Sequence, residues 1–277
     1  MTIAAGFKFK DGVLVCADTQ YTSPSIKLNK SKMSSALIGS DKVSLEVVFA
    51  MSGTDGHMQM AMETCEDAVG KCDIADSGFI YEARNQCADA LANLYAKHFY
   101  PHKLYEYQGG PNASLIIGIY VTGEGTELLW TSESAVAFVD KYQVVGSGAD
   151  LARYAIDPLF MVDMTLEETI LLAVHALRVA KKGDPNCGGT SEFAVLLNSG
   201  LGTGIADLTI PQESYSETFE NIMRTLFFAG SDMEMAKHDI GAIVDDVKAQ
   251  LGTIINEQRK ERNRRQKLMS RLLGGSL

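Results

Sequence analysis

The sequence predicts a four-layer α/β/β/α sandwich of the α+β class. Three observations favour this fold. The predicted elements run as strands, two helices, strands, two helices and strands again, so that helices come in pairs between groups of strands. The 277-residue chain is 46% hydrophobic, which allows a large buried core. Its apolar runs are strand-sized and fall short of the roughly 20 residues that span a bilayer, so we expect no membrane partner.

The first strands are predicted to form a β-hairpin. Apolar residues alternate on both sides of Lys10-Asp11-Gly12, and an Asp-Gly pair between such runs is a strong signal for a tight turn. Residues 19–31 are polar and are expected to form a loop. A second strand pair is predicted over 32–51, with Gly39-Ser40-Asp41 at its turn.

Two helices follow, over about 56–72 and 79–98, where Ala and Leu recur at three- and four-residue spacing. Pro101 and Pro111 bracket a polar stretch that is expected to be a loop. Three strands should come next, at 113–121, 127–131 and 137–145.

The second helix pair is predicted to begin after Gly146-Ser147-Gly148, near residue 149. Its second helix should cover 166–182, with Thr165 as the N-cap and Glu167 or Glu168 in the first turn. Strands are expected again at 192–197 and 204–209. One domain is therefore predicted over residues 1–232, followed by a helical extension over 233–277.

The charge distribution separates this extension from the rest of the chain. The net charge is −10, but seven basic residues are crowded into the last 19 positions. The remainder holds 18 basic and 34 acidic residues, which argues against nucleic acid as the main ligand. The basic tail is interpreted as a solvated helix face or a subunit contact, and an acidic partner or RNA is the alternative.

The five cysteines suggest reduced thiols in the cytoplasm. They are odd in number and include no CxxC pair, so neither a disulfide framework nor a zinc site is expected. No secretory signal is visible at the N-terminus. We expect no metal and no cofactor.

Thr2 carries a hydroxyl and, once Met1 is removed, a free α-amine on the same residue. An α-amine has a reference pKa of about 7.7–8.0, so near neutral pH it can accept a proton. Nucleophile and base would then belong to one residue. A threonine at position 2 is ordinary by itself, so the interpretation depends on the residues downstream.

Five downstream motifs occur in an order and spacing that resemble one family. The motifs are Thr2 with Gly6 and Ala17-Asp18, Lys32-Met33, Ser52-Gly53, Gly146-Ser147-Gly148, and Asp184-Pro185-Asn186-Cys187-Gly188-Gly189. Together they resemble the proteasome β-type subunits and their bacterial relatives. These are N-terminal-nucleophile (Ntn) threonine hydrolases with the four-layer fold, and the likeness covers about residues 2–197.

The resemblance implies a nucleophile and two partners. Thr2 would attack a peptide carbonyl, Lys32 would favour the developing alkoxide, and Asp18 would hold Lys32. Outside the motifs, Lys32 is more simply a solvated strand-edge lysine and Asp18 a turn-capping carboxylate.

The resemblance also implies a set of residues around the amine and the carbonyl. Ser147 and Asp184 would hydrogen-bond around the α-amine, and Cys187 stands where the family usually has a serine. The Gly53 N–H would bind the oxyanion. In isolation Ser147 is a helix N-cap, and its glycine turn could cradle a phosphate.

Substrate contacts follow from the same resemblance. The main chain of Thr22 would pair with an extended substrate, and Tyr21 and Met51 would line the primary specificity pocket. Apolar or aromatic residues before the scissile bond would then be preferred. Tyr21 and Met51 could equally be core or rim residues.

The favoured hypothesis is a threonine endopeptidase that acts on peptides or unfolded proteins. It would assemble into a ring or open helical homo-oligomer, with an ATP-dependent unfoldase as a candidate partner. One alternative is a non-catalytic, proteasome-like structural subunit. Another is an amidase that uses the same nucleophile on a small non-peptide amide.

Overall fold

The computed structural model describes residues 2–23, 26–39, 44–72, 78–103, 111–200 and 203–207, together with residues 245 and 249. Two five-stranded antiparallel sheets pack against each other, and a pair of helices covers the outer face of each. This arrangement confirms the predicted four-layer sandwich. The predicted domain boundary at 232 and the helix beyond it lie outside the described residues.

The elements follow one another in a simple order. The strands are β1 (Ile3–Phe9), β2 (Gly12–Asp18), β3 (Gln20–Ser23), β4 (Ile26–Asn29), β5 (Met33–Gly39), β6 (Ser44–Gly53), β7 (Ala113–Val121), β8 (Gly125–Ser132), β9 (Ala135–Phe138), β10 (Tyr142–Gly146), β11 (Ser191–Leu197) and β12 (Thr203–Asp207). The helices are α1 (Asp55–Val69), α2 (Phe79–His98), α3 (Tyr100–Lys103), α4 (Ala149–Ile156) and α5 (Leu166–Gly183).

The first sheet has the strand order β10-β1-β2-β11-β12. Its central hairpin is the one predicted from Asp11-Gly12, and its register places Ala4 opposite Ala17. Because the two strands are antiparallel, the start of β1 lies beside the end of β2. The fold therefore brings Thr2 close to Asp18.

The second sheet has the order β5-β6-β7-β8-β9. Met33 at the start of β5 faces Ala50 near the end of β6, and the N–H of Met51 donates to the carbonyl of Lys32 at 2.9 Å. Lys32 is thereby held at the edge of this sheet beside Met51, two residues before Gly53 at the end of β6.

Three apolar clusters fill the spaces between the four layers. One lies between the second sheet and α1 and α2, one lies between the first sheet and α4 and α5, and the third lies between the two sheets. The third cluster is built from residues of both sheets, such as Val15 of β2 and Ile116 of β7. Burial of these layers fixes the two sheets face to face.

Helix termini are stabilised in two ways. At α5, Thr165 is the N-cap that the sequence predicted, and it forms a capping box with Glu168 through bonds of 3.3 and 2.8 Å. At α2, the distant Glu124 accepts from the N–H groups of Gly78, Phe79 and Ile80 at 2.7, 2.8 and 3.2 Å. This carboxylate satisfies donors that the helix itself leaves unpaired.

Three predictions about elements were wrong. Residues 19–31 contain the hairpin β3-β4 rather than only a loop, because each of its strands has only four residues, which is too short for a clear periodic signal, and β4 is exposed along its whole length. The predicted strand 137–145 is two strands in different sheets, β9 and β10, since the chain crosses between sheets at the exposed Asp140 and Lys141. The loop after Pro101 begins with the short helix α3, because proline is tolerated in a first turn. The predicted turn at Ser40-Asp41 lies outside the described residues.

Within the described residues, no helix combines the length and apolar character needed to cross a membrane.

Candidate active site

Thr2, Asp18 and Lys32 meet between the two sheets, although they come from separate segments of the chain. Lys32 Nζ donates to Thr2 Oγ1, and Thr2 Oγ1 donates to Asp18 Oδ1. Lys32 Nζ also lies 2.7 Å from Asp18 Oδ1 and donates to the backbone carbonyl of Gln20. The ammonium thus contacts a hydroxyl, a carboxylate and a carbonyl at once.

These three side chains are almost completely shielded from water, with exposures of 2% for Thr2, 0% for Asp18 and 1% for Lys32. Burial lowers the pKa of the Lys32 ammonium, and the adjacent Asp18 carboxylate opposes that shift. A cation next to the Thr2 oxygen stabilises negative charge there. The arrangement therefore favours the hydroxyl as a nucleophile.

Asp18 also anchors the loop that follows α5. The N–H of Gly188 donates to Asp18 Oδ2 at 2.8 Å, and the N–H of Ile3 donates to Asp18 Oδ1 at 3.2 Å. Both carboxylate oxygens are therefore occupied, which fixes the carboxylate relative to Thr2 and to residues 184–190.

That loop holds two of the predicted amine-binding residues. Asp184 accepts from the backbone N–H of Asn186 at 2.9 Å and from Cys187 Sγ at 3.5 Å, and Ser147 hydrogen-bonds to it across the site. Burial alone would raise the pKa of Asp184, but the hydrogen bonds from Ser147, Asn186 and Cys187 together lower it. Asp184 is therefore held in its ionised form.

Cys187 is buried against the turn before α4. A Cβ at Gly148 would lie 2.7 Å from Cys187 Sγ, so a residue larger than glycine at this position would clash with the thiol unless the Cys187 side chain shifted. Burial raises the pKa of the Cys187 thiol to about 12, with the Asp18 and Asp184 carboxylates adding to the shift. The thiol is accordingly a neutral, weak donor to Asp184.

Two further glycines of the motifs have backbone conformations that favour glycine, and one of them lies against Thr2. Gly146 has φ +108°, and a Cβ there would lie 2.1 Å from the Thr2 carbonyl oxygen. Gly53 has φ +142°, and its Cβ would lie 2.3 Å from the carbonyl oxygen of Asn112. Both positions therefore require glycine. Gly53 ends β6 two residues before α1 begins, where the helix dipole adds positive potential.

The predicted substrate-contact residues lie on the neighbouring strands. Thr22 is in β3, where its hydroxyl accepts from Gln20 Nε2 at 3.1 Å. Tyr21 is partly buried, and its ring centroid lies 5.4 Å from Lys30 Nζ and 5.1 Å from Lys32 Nζ. Met51 is 6% exposed and packs in the core under α1 and α2. A role for these residues in substrate binding stays a prediction.

The geometry adds one residue that the sequence did not indicate. Gln20 is 8% exposed and touches both the Lys32 side of the site and the 184–188 loop. No sequence signal could have identified it, because it stands in a polar stretch and its partners are distant in the chain. Across the described residues, no group of three or more His, Cys, Asp or Glu side chains is arranged to hold a metal ion.

A family model described as "Proteasome subunit" matches residues 2–196, which is more than half of the chain and includes the whole site. The chain belongs to the proteasome subunit family. The resemblance inferred from the ordered motifs is therefore confirmed, and the two-sheet fold is that of the family.

Curated proteasome subunits are similar to this chain over most of its described part. Proteasome subunit beta 2 of Thermococcus kodakarensis is 28% identical over 202 residues, which cover 71% of this chain and 90% of the relative. Proteasome subunit beta type-10 of Rattus norvegicus is 27% identical over 199 residues, covering 72% of this chain and 67% of the relative. The similarity is distant in both cases.

Solved structures of the same fold include Anbu proteins. Anbu, the ancestral beta-subunit, from Yersinia bercovieri superposes with a TM-score of 0.68 at 13% identity, covering 82% of this chain and 96% of that one. The helical assembly of the Anbu complex from Pseudomonas aeruginosa gives a TM-score of 0.66 at 11% identity, with coverages of 82% and 95%. At these identities the likeness shows the fold alone.

Proposed function

We propose that this protein is a threonine-type endopeptidase whose nucleophile is Thr2, exposed by removal of Met1. The observation that carries the proposal is the buried contact of Lys32 Nζ with Thr2 Oγ1 and Asp18 Oδ1. A buried lysine is costly unless it is paired. A structural subunit would have no physical need to bury this cation beside a threonine hydroxyl.

The proposed reaction has two steps that use the same base, the α-amine of Thr2. The α-amine of Thr2 takes the hydroxyl proton as Oγ1 attacks the peptide carbonyl carbon, and it returns that proton to the leaving amine as the peptide bond breaks. This leaves an ester between Thr2 and the acyl part of the substrate. Water then attacks the ester with the α-amine as base, which releases a carboxylic acid and restores the Thr2 hydroxyl.

The other residues act on charge and on orientation. Lys32 stabilises the alkoxide, and Asp18 holds Lys32 in place. The N–H of Gly53 stabilises the oxyanion of the tetrahedral intermediate. Ser147, Asp184 and Cys187 surround the amine and orient its lone pair, with the neutral thiol of Cys187 as the weakest member of the three.

The proposed substrates are peptides and unfolded proteins in extended form. The main chain of Thr22 would pair with the substrate as an added strand, which requires no particular side-chain sequence. Tyr21 and Met51 offer an aromatic ring and a thioether, and these favour apolar or aromatic residues before the scissile bond.

The proposed working form is a homo-oligomer that encloses its active sites. The membership in the proteasome subunit family and the helical assembly described for Anbu of Pseudomonas aeruginosa support such a form. An ATP-dependent unfoldase is the proposed partner, and the cytoplasm is the proposed location. The basic residues of 259–277 are proposed to contact a neighbouring subunit or an acidic partner.

Fluorogenic peptides with Phe, Lys or Asp before the reporter group test this function. We expect the parent to hydrolyse the Phe peptide fastest, Thr2→Ser to retain measurable hydrolysis, and Thr2→Ala to show none. Equal rates for Thr2→Ala and the parent would refute the nucleophile. Hydrolysis of a small non-peptide amide but of no peptide would favour the amidase alternative, and no hydrolysis by an assembled parent would favour a structural subunit.

A further inference from the structure

Gln20 joins the two halves of the active site through its backbone. Its carbonyl oxygen accepts from Lys32 Nζ, on the side of the Thr2 hydroxyl. Its N–H donates to the carbonyl of Gly188 at 3.1 Å, on the side of the loop that holds Asp184 and Cys187. One residue therefore contacts both the cation and the loop.

The side chain of Gln20 adds a second connection. Its Nε2 donates to the carbonyl of Pro185 at 3.0 Å and to Thr22 Oγ1 at 3.1 Å. Both amide protons are thus used, as expected for a buried amide, since an unpaired one would cost free energy. The same side chain links the loop to the strand proposed to pair with substrate.

The packing around this amide leaves it little freedom. A Cβ at Gly188 would lie 2.4 Å from Gln20 Oε1 and 3.0 Å from its Cδ, so the side chain lies directly on the glycine backbone. The N–H of that same Gly188 donates to Asp18 Oδ2 at 2.8 Å. Movement of Gln20 would consequently be transmitted to Asp18 as well as to Pro185.

We propose that Gln20 is a positioning residue that sets the distance between the Lys32 and Asp18 pair and the 184–188 loop. It acts through the groups it holds and does not touch the reacting atoms. The inference rests on the proposed function, because the two halves it joins are those that would contact the hydroxyl and the amine of Thr2. A displacement of about 1 Å between such groups can lower a rate by about 100-fold.

The test compares Gln20→Met with Gln59→Met in steady-state hydrolysis of the Phe peptide. Both changes keep the side-chain length and remove an amide, but Gln59 is exposed on α1 and donates to Glu63 at 2.9 Å. We expect Gln20→Met to lower kcat by about 10- to 100-fold with KM changed by less than about threefold, because alignment rather than substrate pairing is lost. Gln59→Met should change neither constant by more than about twofold.

A parent that hydrolyses the peptide, together with a Gln20→Met variant within twofold of its kcat, would overturn the role of Gln20 and leave the proposed function intact. A parent that does not hydrolyse it would overturn both. Gln20→Glu, whose side chain stays polar but has no N–H to donate, provides a second variant and should lower kcat at least as much. If neither variant yields folded protein by circular dichroism, Gln20 serves the fold rather than the site, and the positioning role is refuted.

Discussion

Lys32 Nζ lies 2.7 Å from Asp18 Oδ1, and these side chains are 1% and 0% exposed. Removing one partner of a buried ion pair leaves an uncompensated charge, which costs about 3–5 kcal/mol. We therefore expect Lys32→Met to lower the free energy of unfolding by that amount and to abolish peptide hydrolysis. Adding Asp18→Asn to Lys32→Met should recover most of the stability but none of the activity.

The exposed pair Lys30 and Asp55 is the matched control, with 3.6 Å between its charged atoms and exposures of 56% and 62%. Lys30→Met should change the free energy of unfolding by less than about 1 kcal/mol. For both variants, urea unfolding measures the free energy of unfolding and peptide hydrolysis measures the activity. A Lys32→Met variant that keeps a tenth or more of the parent activity would show that the lysine is not needed for the reaction.

Gly146 controls the position of Thr2 by steric exclusion. Because a Cβ there would lie 2.1 Å from the Thr2 carbonyl oxygen and φ is +108°, Gly146→Ala must displace the nucleophile. We expect at least about a 100-fold loss of peptide hydrolysis. Gly56→Ala is the control, since Gly56 lies inside α1 with open space around its Cβ, and alanine there should leave activity intact and stabilise the helix. Equal activity in the two variants would contradict the steric account.

Asp184 should contribute to stability in a pH-dependent manner. Its pKa in the folded protein is lowered from the usual 3.8, so the stabilisation is present above pH 3.8 and is lost as the pH falls through the lower folded value. The difference in free energy of unfolding between the parent and Asp184→Asn should therefore shrink on acidification below about pH 3.8. Asp150→Asn, at a 99% exposed side chain, is the control and should change the free energy of unfolding by less than about 1 kcal/mol. If the difference in free energy of unfolding between the parent and Asp184→Asn stays constant from pH 6 to pH 2, the pKa of Asp184 is not lowered by folding.

Glu124 should stabilise α2 from a distance. Its carboxylate accepts from three N–H groups at the start of that helix, and loss of a helix cap costs about 0.5–2 kcal/mol. Glu124→Ala is expected to lower the free energy of unfolding within that range, whereas Glu63→Ala on the exposed face of α1 should change it by less than about 0.5 kcal/mol. Equal effects in urea unfolding would show that the cap contributes nothing.

Local signals in the sequence predicted much of the fold. Asp11-Gly12 predicted the β1-β2 hairpin, apolar spacing predicted α2 at Phe79–His98, and Thr165 with Glu168 predicted the start of α5. Each of these depends on residues that are close in the chain. The prediction failed where neighbours in space decide the outcome, as in the division of 137–145 between two sheets.

The candidate site was likewise predicted in part, and the part that was missed depends on contacts between residues distant in the chain. The motifs named Thr2, Asp18 and Lys32, and the structure brings their side chains into contact. The link from Gln20 to Pro185 joins residues 165 positions apart and gave no sequence signal. The hydrogen bond from Gly188 to Asp18 spans 170 positions and involves a backbone N–H, which is the same in every non-proline residue.

The proposed reaction requires a free α-amine on Thr2. Met1 lies outside the described residues, so the test is intact mass measurement of the purified protein before and after treatment with a peptide epoxyketone, which reacts with a hydroxyl and an amine of one residue. We predict a parent mass without Met1 and a single adduct that peptide mapping places on Thr2, with no adduct on Thr2→Ala. Retained Met1 throughout the sample, or an adduct that survives in Thr2→Ala, would contradict the account.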